Sequence, residues 1–338
     1  MKLRKPRIGL ALGGGAARGW AHIGVIRALA ERGVRPDLIA GTSVGSIVGG
    51  ALATERLDEF ENWVRGLRRL DVVRLLDARL TGGGFLRGSV LMKALEGVMG
   101  NPDIEDLAVP FGCITTELGT GRELWLRDGP LLDACRASIA LPGLFAPAAL
   151  DGRYLLDGGL VNPVPVSLAR SLGADIVIAV NLNDEMVGHR FWHPVTPEPD
   201  IPSKPEDTPK APEPDSEEAR LAAEALALEQ VGWGSKLTNG MKERLGAYLS
   251  SITRKDPMNP GLFEVIVGSI DIMQDHITRS RMVGEPPDIH IAPRVKHIAL
   301  MDFDRADECI AAGELAVTRR EAELDLLRDL LKHGTYRD

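Results

Sequence analysis

The segment Gly41-Thr42-Ser43-Val44-Gly45 sets a serine between glycines two residues to either side, directly after a short apolar run and before a helical pattern. That arrangement suits a nucleophile: a sharp strand-to-helix turn projects the hydroxyl from the sheet edge, and the glycines leave room where a Cβ would collide. The same residues allow a plainer role, because serine is a favoured N-cap and Ser43 precedes a helix. A second cluster, Gly13-Gly14-Gly15-Ala16-Ala17-Arg18-Gly19, follows another apolar run. Successive glycines let backbone N–H groups converge into an anion pocket, for a phosphate or for the oxyanion of a tetrahedral intermediate. A dinucleotide fingerprint opening at Gly13 needs glycine where Arg18 stands, and an acidic residue about 20 residues on that is missing. A Walker loop needs Gly-Lys-Ser/Thr, also missing. Arg18 adds positive charge for an intermediate or a phospholipid headgroup, or pairs with a neighbour. The third cluster is Asp157-Gly158-Gly159, after the apolar run Tyr154 to Leu156. An aspartate held in a glycine turn at a strand end can reach a hydroxyl across a sheet edge, although Asp-Gly is also a common turn dipeptide.

Together the three clusters complete a machine for acyl transfer: Ser43 as nucleophile, Asp157 as base, and oxyanion donors in the Gly13 to Gly15 loop, each at the end of a strand where open sheets place their sites. A third catalytic residue is not required. Of the seven histidines, His22 lies in the first helix, His189 and His193 border a proline-rich segment, and His276, His290, His297 and His333 carry no motif. A Ser-His-Asp triad is the minority alternative. An aspartate of ordinary pKa about 3.9 is a weak base toward serine, so the dyad calls for a desolvated pocket that raises it. Backbone donors worth about 3 to 4 kcal/mol each lower the barrier independently. The cycle would be acylation of Ser43 by an ester, then hydrolysis by water activated at Asp157.

These residues need a sheet to hold them. Arg7 to Leu12 reads as a strand, Ala21 to Arg32 as a helix closed by Gly33, Asp37 to Ala40 as a second strand, and a small-residue helix runs to about Thr54. Two βα units in succession argue for a mostly parallel sheet wrapped by helices. Further strands are expected at Phe111 to Thr116, Tyr154 to Leu156, Asp175 to Leu182 and Ile289 to Ile291, with helical stretches from Phe263 to Met282 and from about Leu315 to Leu331. Between Leu57 and Gly100 an arginine-rich helical stretch (Arg65, Arg68, Arg69, Arg74, Arg79), broken by Thr81-Gly82-Gly83-Gly84, offers a cap or lid. Trp63 among those arginines permits contact with anionic lipid, although charge runs on helices usually face water. Pro194 to Glu218 is proline- and acid-rich with almost no large apolar residue, the composition of a disordered insertion; a helix is expected to resume near Ala219 through Leu221, Ala225 and Leu228. The expected organisation is a catalytic core over residues 1–188, the insertion over 189–218, and a part over 219–338 that completes the domain.

Composition removes several function classes. With 338 residues and a formal net charge of −8, the surface repels a phosphate backbone, so nucleic acid is not an expected partner. Cys113, Cys135 and Cys309 are odd in number and without metal-ligand spacing, which suggests neither a disulfide framework nor a zinc site and fits a reducing cytosol. No acidic loop of calcium-ligand spacing is present, and neither a metal nor an organic cofactor is expected. Lys2, Arg4, Lys5 and Arg7 before Ile8 to Leu12 imitate a secretory signal, but the apolar run is short and dissolves into the glycines, so it reads as the first strand. Nothing reaches the roughly 18 to 20 apolar residues of a membrane span; Ile39 to Ala53 comes nearest, with Thr42, Ser43 and Ser46 in it.

The set GGGAARG, GTSVG and DGG, in this order and with SIALPGLFAP (Ser138 to Pro147) before the aspartate, resembles the bacterial patatin-like phospholipases. PPDIHIAP (Pro286 to Pro293) and DFDRADECIAAG (Asp302 to Gly313) resemble the bacterial members related to the neuropathy target esterase catalytic domain. The resemblance covers most of residues 6 to 315 apart from the proline-rich segment. It implies a three-layer α/β/α hydrolase fold with a helical cap region, Ser43 as nucleophile, Asp157 as base and the glycine loop as oxyanion hole, with Gly41, Gly45, Gly158 and Gly159 supporting the motifs. The plant pattern GGG-x-R/K-G is one residue shorter than the loop here, so the motif leaves open which amides face the oxyanion and where Arg18 points. The implied activity is hydrolysis of lipid carboxylic esters, phospholipid or lysophospholipid; the location expected from the cysteines is cytoplasmic, with peripheral membrane contact the lesser alternative. Acyl transfer to a lipid alcohol would use the same residues. A non-catalytic lipid-binding scaffold would be marked by loss of Ser43 or Asp157, and both are present. Oligomeric state is not legible.

Overall fold

The computed structural model describes residues 3–75, 86–184, 262–333 and 336–337. Arg79, Thr81 to Gly84, His189, His193, the Pro194 to Glu218 segment and the helix expected near Ala219 lie outside the described residues. Two compact units divide the chain: residues 1–190 with 266–338, and residues 191–265, of which only 262–265 are described, as the first turn of a helix.

In the first unit the strands are β1 (Leu3–Arg4), β2 (Ile8–Leu12), β3 (Leu38–Thr42), β4 (Phe111–Glu117), β5 (Glu123–Leu126), β6 (Ala148–Leu150), β7 (Arg153–Asp157), β8 (Ile176–Val180), β9 (Ile289–Ile291) and β10 (Tyr336–Arg337). The helices are α1 (Ala21–Glu31), α2 (Val44–Ala53), α3 (Leu57–Arg65), α4 (Arg69–Leu75), α5 (Ser89–Met99), α6 (Leu131–Ser138), α7 (Val166–Ser171), α8 (Leu262–Gly284, in this unit from residue 266), α9 (Ala306–Thr318) and α10 (Glu321–His333).

The main sheet runs β6-β7-β4-β3-β2-β8-β9, with β5 also paired to β4. β2 is parallel to β3 and β8, β3 to β4, and β8 to β9, while β5, β6 and β7 form the antiparallel edge. Every residue of β2, β3 and β8 is buried, as parallel strands covered on both faces require. Side chains alternate between the layers. Ala11, Leu38, Ala40, Val177 and Ala179 meet Leu168 and Ala169 of α7 on one side, whereas Leu12 and Ile39 face Gly49 of α2 on the other. The fold is three-layered, α/β/α.

Several expectations on helices and strands change. The single helix expected over Leu315 to Leu331 is two, α9 and α10, separated at Arg319 and Arg320. Neither glycine nor proline marks the break; the turn lets α9 bury Ile310 and Val317, and α10 bury Leu324 and Leu327. The strands β1, β5, β6 and β10 have no counterpart in the sequence-level reading, being two to four residues long. The arginine-rich stretch is mostly an ion-paired surface. Arg65 pairs with Glu61 and Asp307, Arg69 with Asp304, and Arg74 with Asp71, while Trp63 is half-buried against Phe60. Among the described residues no helix is long and apolar enough to cross a membrane.

α1 and α9 pack at backbone contact. A Cβ on Gly24 would lie 1.9 Å from the Ile310 carbonyl oxygen, and one on Gly313 2.1 Å from that of Ala21. Backbone cannot step aside as a flexible side chain can, so Gly24→Ala or Gly313→Ala should cost about 3 kcal/mol, the upper end of ordinary overpacking. A clear fall in thermal midpoint by circular dichroism is expected for each; wild-type midpoints would refute the close packing.

Candidate active site

Register brings the candidate residues together. Thr42 at the end of β3 is opposite Ile114 of β4, and Thr115, the next residue of β4, is opposite Asp157 of β7. β5 takes the other edge of β4, so β3 and β7 follow one another along the same edge and their ends meet there: Ser43 Oγ donates to Asp157 Oδ2 at 2.6 Å. No histidine stands between them.

Ser43 sits at φ 55°, ψ −127°, a left-handed-side conformation that costs a non-glycine residue about 1 to 3 kcal/mol. Its surroundings hold it there. The Ser46 N–H and Oγ both donate to the Ser43 carbonyl, at 2.8 and 2.6 Å. The Ser43 N–H donates to Ser138 Oγ at 2.8 Å, and Ser138 Oγ donates in turn to the Ile114 carbonyl at 2.6 Å. Gly45 lies so close to β2 that a Cβ would come within 2.2 Å of the Leu12 carbonyl oxygen, and one on Gly41 would meet Ser46 Cα at 2.5 Å. Ser43 occupies the N-cap position of α2 but its side chain makes no capping bond, so the plain capping role does not describe it.

Asp157 is 1 % exposed. Its Oδ1 accepts from the Gly159 N–H at 2.7 Å, its N–H donates to the Ala140 carbonyl, and its carbonyl accepts from Thr116 Oγ1. The Gly158 carbonyl accepts from Val161 and Asn162, closing the turn. Burial pushes the Asp157 carboxyl up to about 6, against the lowering effect of the Ser43 and Gly159 hydrogen bonds.

The glycine loop is pinned unevenly. Gly13 N–H donates to Val180 O and Gly14 N–H to Pro163 O. Gly13 O accepts from Nε2 of His22, which is fully buried with its pKa lowered to about 4 by desolvation, and therefore neutral. Of the loop expected to supply oxyanion donors, the Gly13 and Gly14 amides fasten the loop to β8 and to the turn after Asp157. The N–H groups of Gly15 and Ala16 find no partner among the described residues, and both residues line the cavity at Ser43. Ala16 has φ 47°. Arg18 is buried; its backbone N–H and Nε both donate to Gly15 O at 3.1 Å, and Nη2 pairs with Asp271 of α8 at 3.4 Å.

The cavity at Ser43 and Asp157 measures about 30 Å³, room for a water or two and far less than an acyl chain needs. Its roof comes from α8, through Val267, Ile270, Asp271 and Gln274, with Leu141 and Leu300. The wall over Ser43 is thus a C-terminal helix; the arginine-rich helices pack beside α2, α6 and α9. Ser138, His22, Asp271 and Gln274 were not singled out from sequence. Ser138 opens the SIALPGLFAP segment, its one available signal, and the others sit in helices with no motif around them.

Comparison with known proteins sets this geometry in a lineage. A family model described as patatin-like phospholipase matches residues 10–170, spanning the glycine loop, Ser43 and Asp157. An NTE family protein of Mycobacterium tuberculosis is 36% identical over 93% of this chain and 91% of its own. The chain belongs to the patatin-like phospholipase family. Patatin-like phospholipase domain-containing protein 6 of Homo sapiens is 36% identical over 53% of this chain and 13% of its own, and the Caenorhabditis elegans patatin-like phospholipase domain-containing protein is 40% identical over 52% and 13%. The mycobacterial relative extends the patatin-like match into the carboxyl-terminal part of the chain.

The raised Asp157 pKa has a stability consequence. Folding favours the protonated carboxyl, so the cost of burying the charge is absent below the ordinary carboxyl value of 3.8 and full above about 6. That rise corresponds to about 3 kcal/mol at pH 8. Asp157→Asn should therefore raise the thermal midpoint at pH 8 and leave little difference near pH 4; a variant less stable than wild type at pH 8 would contradict the desolvated carboxylate.

Proposed function

We propose that this protein is a serine acyl hydrolase that cleaves carboxylic esters of lipids, phospholipid or lysophospholipid, through a Ser43–Asp157 dyad. The observation that carries the reading is the direct 2.6 Å hydrogen bond from Ser43 Oγ to a buried carboxylate with its pKa pushed up to about 6. Membership of the patatin-like phospholipase family supports lipid ester hydrolysis in the broad sense.

In the proposed cycle Asp157 Oδ2 takes the Ser43 proton as Oγ attacks the ester carbonyl carbon. The negative charge that gathers on the carbonyl oxygen is met by the Gly15 and Ala16 N–H groups, which are preorganised and largely shielded from water. Collapse expels the alcohol, lysophospholipid or glycerol phosphodiester, with the proton returned from Asp157. A water deprotonated by Asp157 then attacks the acyl-serine and releases the fatty acid. An acyl chain cannot fit the 30 Å³ cavity, so binding it requires α8 to shift. Work on lipid esters implies peripheral contact with a membrane surface from the cytoplasm.

Labelling with a fluorophosphonate should fall on Ser43, identified by peptide mass, and Ser43→Ala and Asp157→Asn should each lose short-chain ester turnover by about 10³-fold or more. Turnover at wild-type rate in folded Asp157→Asn would sink the dyad. Because the ionised carboxylate is the base, kcat/KM should rise about tenfold per pH unit below about 6 and level off above it. Product analysis with an added lipid alcohol separates hydrolysis from acyl transfer.

A further inference from the structure

We propose that Asp271, on α8, is a positioning residue for acyl transfer: through Arg18 it fixes the Gly15–Ala16 peptide so that the Ala16 N–H faces the reacting carbonyl oxygen at Ser43. The inference rests on the proposed function and deepens it.

A trans peptide is planar, with its C=O and the following N–H pointing in opposite directions. Fixing one end therefore aims the other. An earlier peptide of this loop, Gly13–Gly14, is held at both ends: His22 Nε2 donates to Gly13 O, and Gly14 N–H donates to Pro163 O. The Gly15–Ala16 peptide is held at one end only. Gly15 O accepts two hydrogen bonds, both from Arg18, through the backbone N–H and Nε. The Ala16 N–H at the opposite end has no partner among the described residues, and Ala16 lines the cavity with Ser43 and Asp157. Ala16 is at φ 47°, a conformation that relaxes unless its surroundings impose it.

Arg18 imposes it, and Asp271 orients Arg18. The guanidinium is buried, its Nη2 is 3.4 Å from Asp271 Oδ1, and the two side chains are 1% and 8% exposed. Their separation along the chain is 253 residues, so the contact ties the amino-terminal loop to the helix that roofs the cavity. One turn on, Gln274 continues the link, accepting from Asn183 Nδ2 at 3.2 Å and packing against Gly159 beside the base. When α8 is seated, the peptide is aimed.

Two variants test this on the full-length protein. Asp271→Asn keeps the volume and removes the charge. The paired substitution Arg18→Met with Asp271→Leu removes both charges together, which spares the fold the unpaired buried ion that a single truncation leaves. Short-chain ester turnover is measured beside binding of a trifluoromethyl ketone, which adds to Ser43 and places an oxyanion in the site, and of its parent alcohol, which cannot. The expected result is kcat lower by about tenfold for Asp271→Asn and about a hundredfold for the pair, with KM and alcohol affinity within threefold of wild type and ketone affinity falling in step with kcat. Wild-type kcat in either folded variant overturns the proposal, as does a fall in kcat with ketone affinity unchanged, since a merely structural pair would behave so. Should the pair fail to fold, the ratio of ketone to alcohol affinity in Asp271→Asn decides alone. If wild-type Ser43 takes neither fluorophosphonate nor ketone, the dyad itself is wrong and the proposal falls with it, an outcome visible before any variant is made.

Discussion

A carboxylate shut away from water lies one hydrogen bond from a serine hydroxyl, and much of the architecture is explained by what that contact demands. Asp157 is 1 % exposed and its oxygens are satisfied by Ser43 and by the Gly159 amide. The two side chains meet directly, from the ends of β3 and β7, which share one edge of β4 while β5 takes the other. The register that sets Thr42 opposite Ile114 and Thr115 opposite Asp157 accomplishes this. Threonines 115 and 116 then fasten β7 to β4 through their hydroxyls.

Around this contact, strain is concentrated in two residues, Ser43 and Ala16, both at positive φ and both without the excuse of glycine. Each is held by side chains as well as by its own backbone turn. Ser43 is gripped by Ser46 and Ser138, and Ala16 follows a carbonyl clasped by Arg18. Strained backbone persists only where the surroundings over-determine it, which accounts for the number of small buried hydroxyls and glycines gathered at the carboxyl ends of β2, β3 and β7.

The sheet was legible because its central strands are uninterrupted apolar runs ending in glycine clusters, as at Ile8 to Leu12 before Gly13 and Leu38 to Ala40 before Gly41. Ser43 and Asp157 were legible for the same reason, since a turn that must bring a side chain back over a sheet needs residues without Cβ. The amides that face the cavity were not. Gly13 and Gly14 carry the motif, yet their N–H groups hold the loop in place, and the amides without a partner among the described residues are those of Gly15 and Ala16, which line the cavity. Sequence marks where the chain bends sharply, not where each N–H is aimed. Asp271 and Gln274 escaped notice because a polar residue on one face of a long helix has the same pattern whether it meets solvent or a buried arginine. The break between α9 and α10 was equally silent, since the partners that redirect the chain at Arg319 are far away in sequence.

The last parallel pairing of the sheet joins β8, residues 176–180, to β9, residues 289–291. In polymer terms, the entropy of bringing two such distant points together grows only with the logarithm of the intervening length, about 0.6 kcal/mol for each doubling. Lengthening that connection outside α8 therefore adds little to the entropic cost of closing this pairing. The rate is another matter, because contacts so remote in sequence slow the search for the native state. During synthesis the glycine loop, Ser43 and Asp157 all leave the ribosome well before α8 does. The nascent chain thus carries Ser43 and Asp157 while the helix that lines the cavity beside them has still to be made.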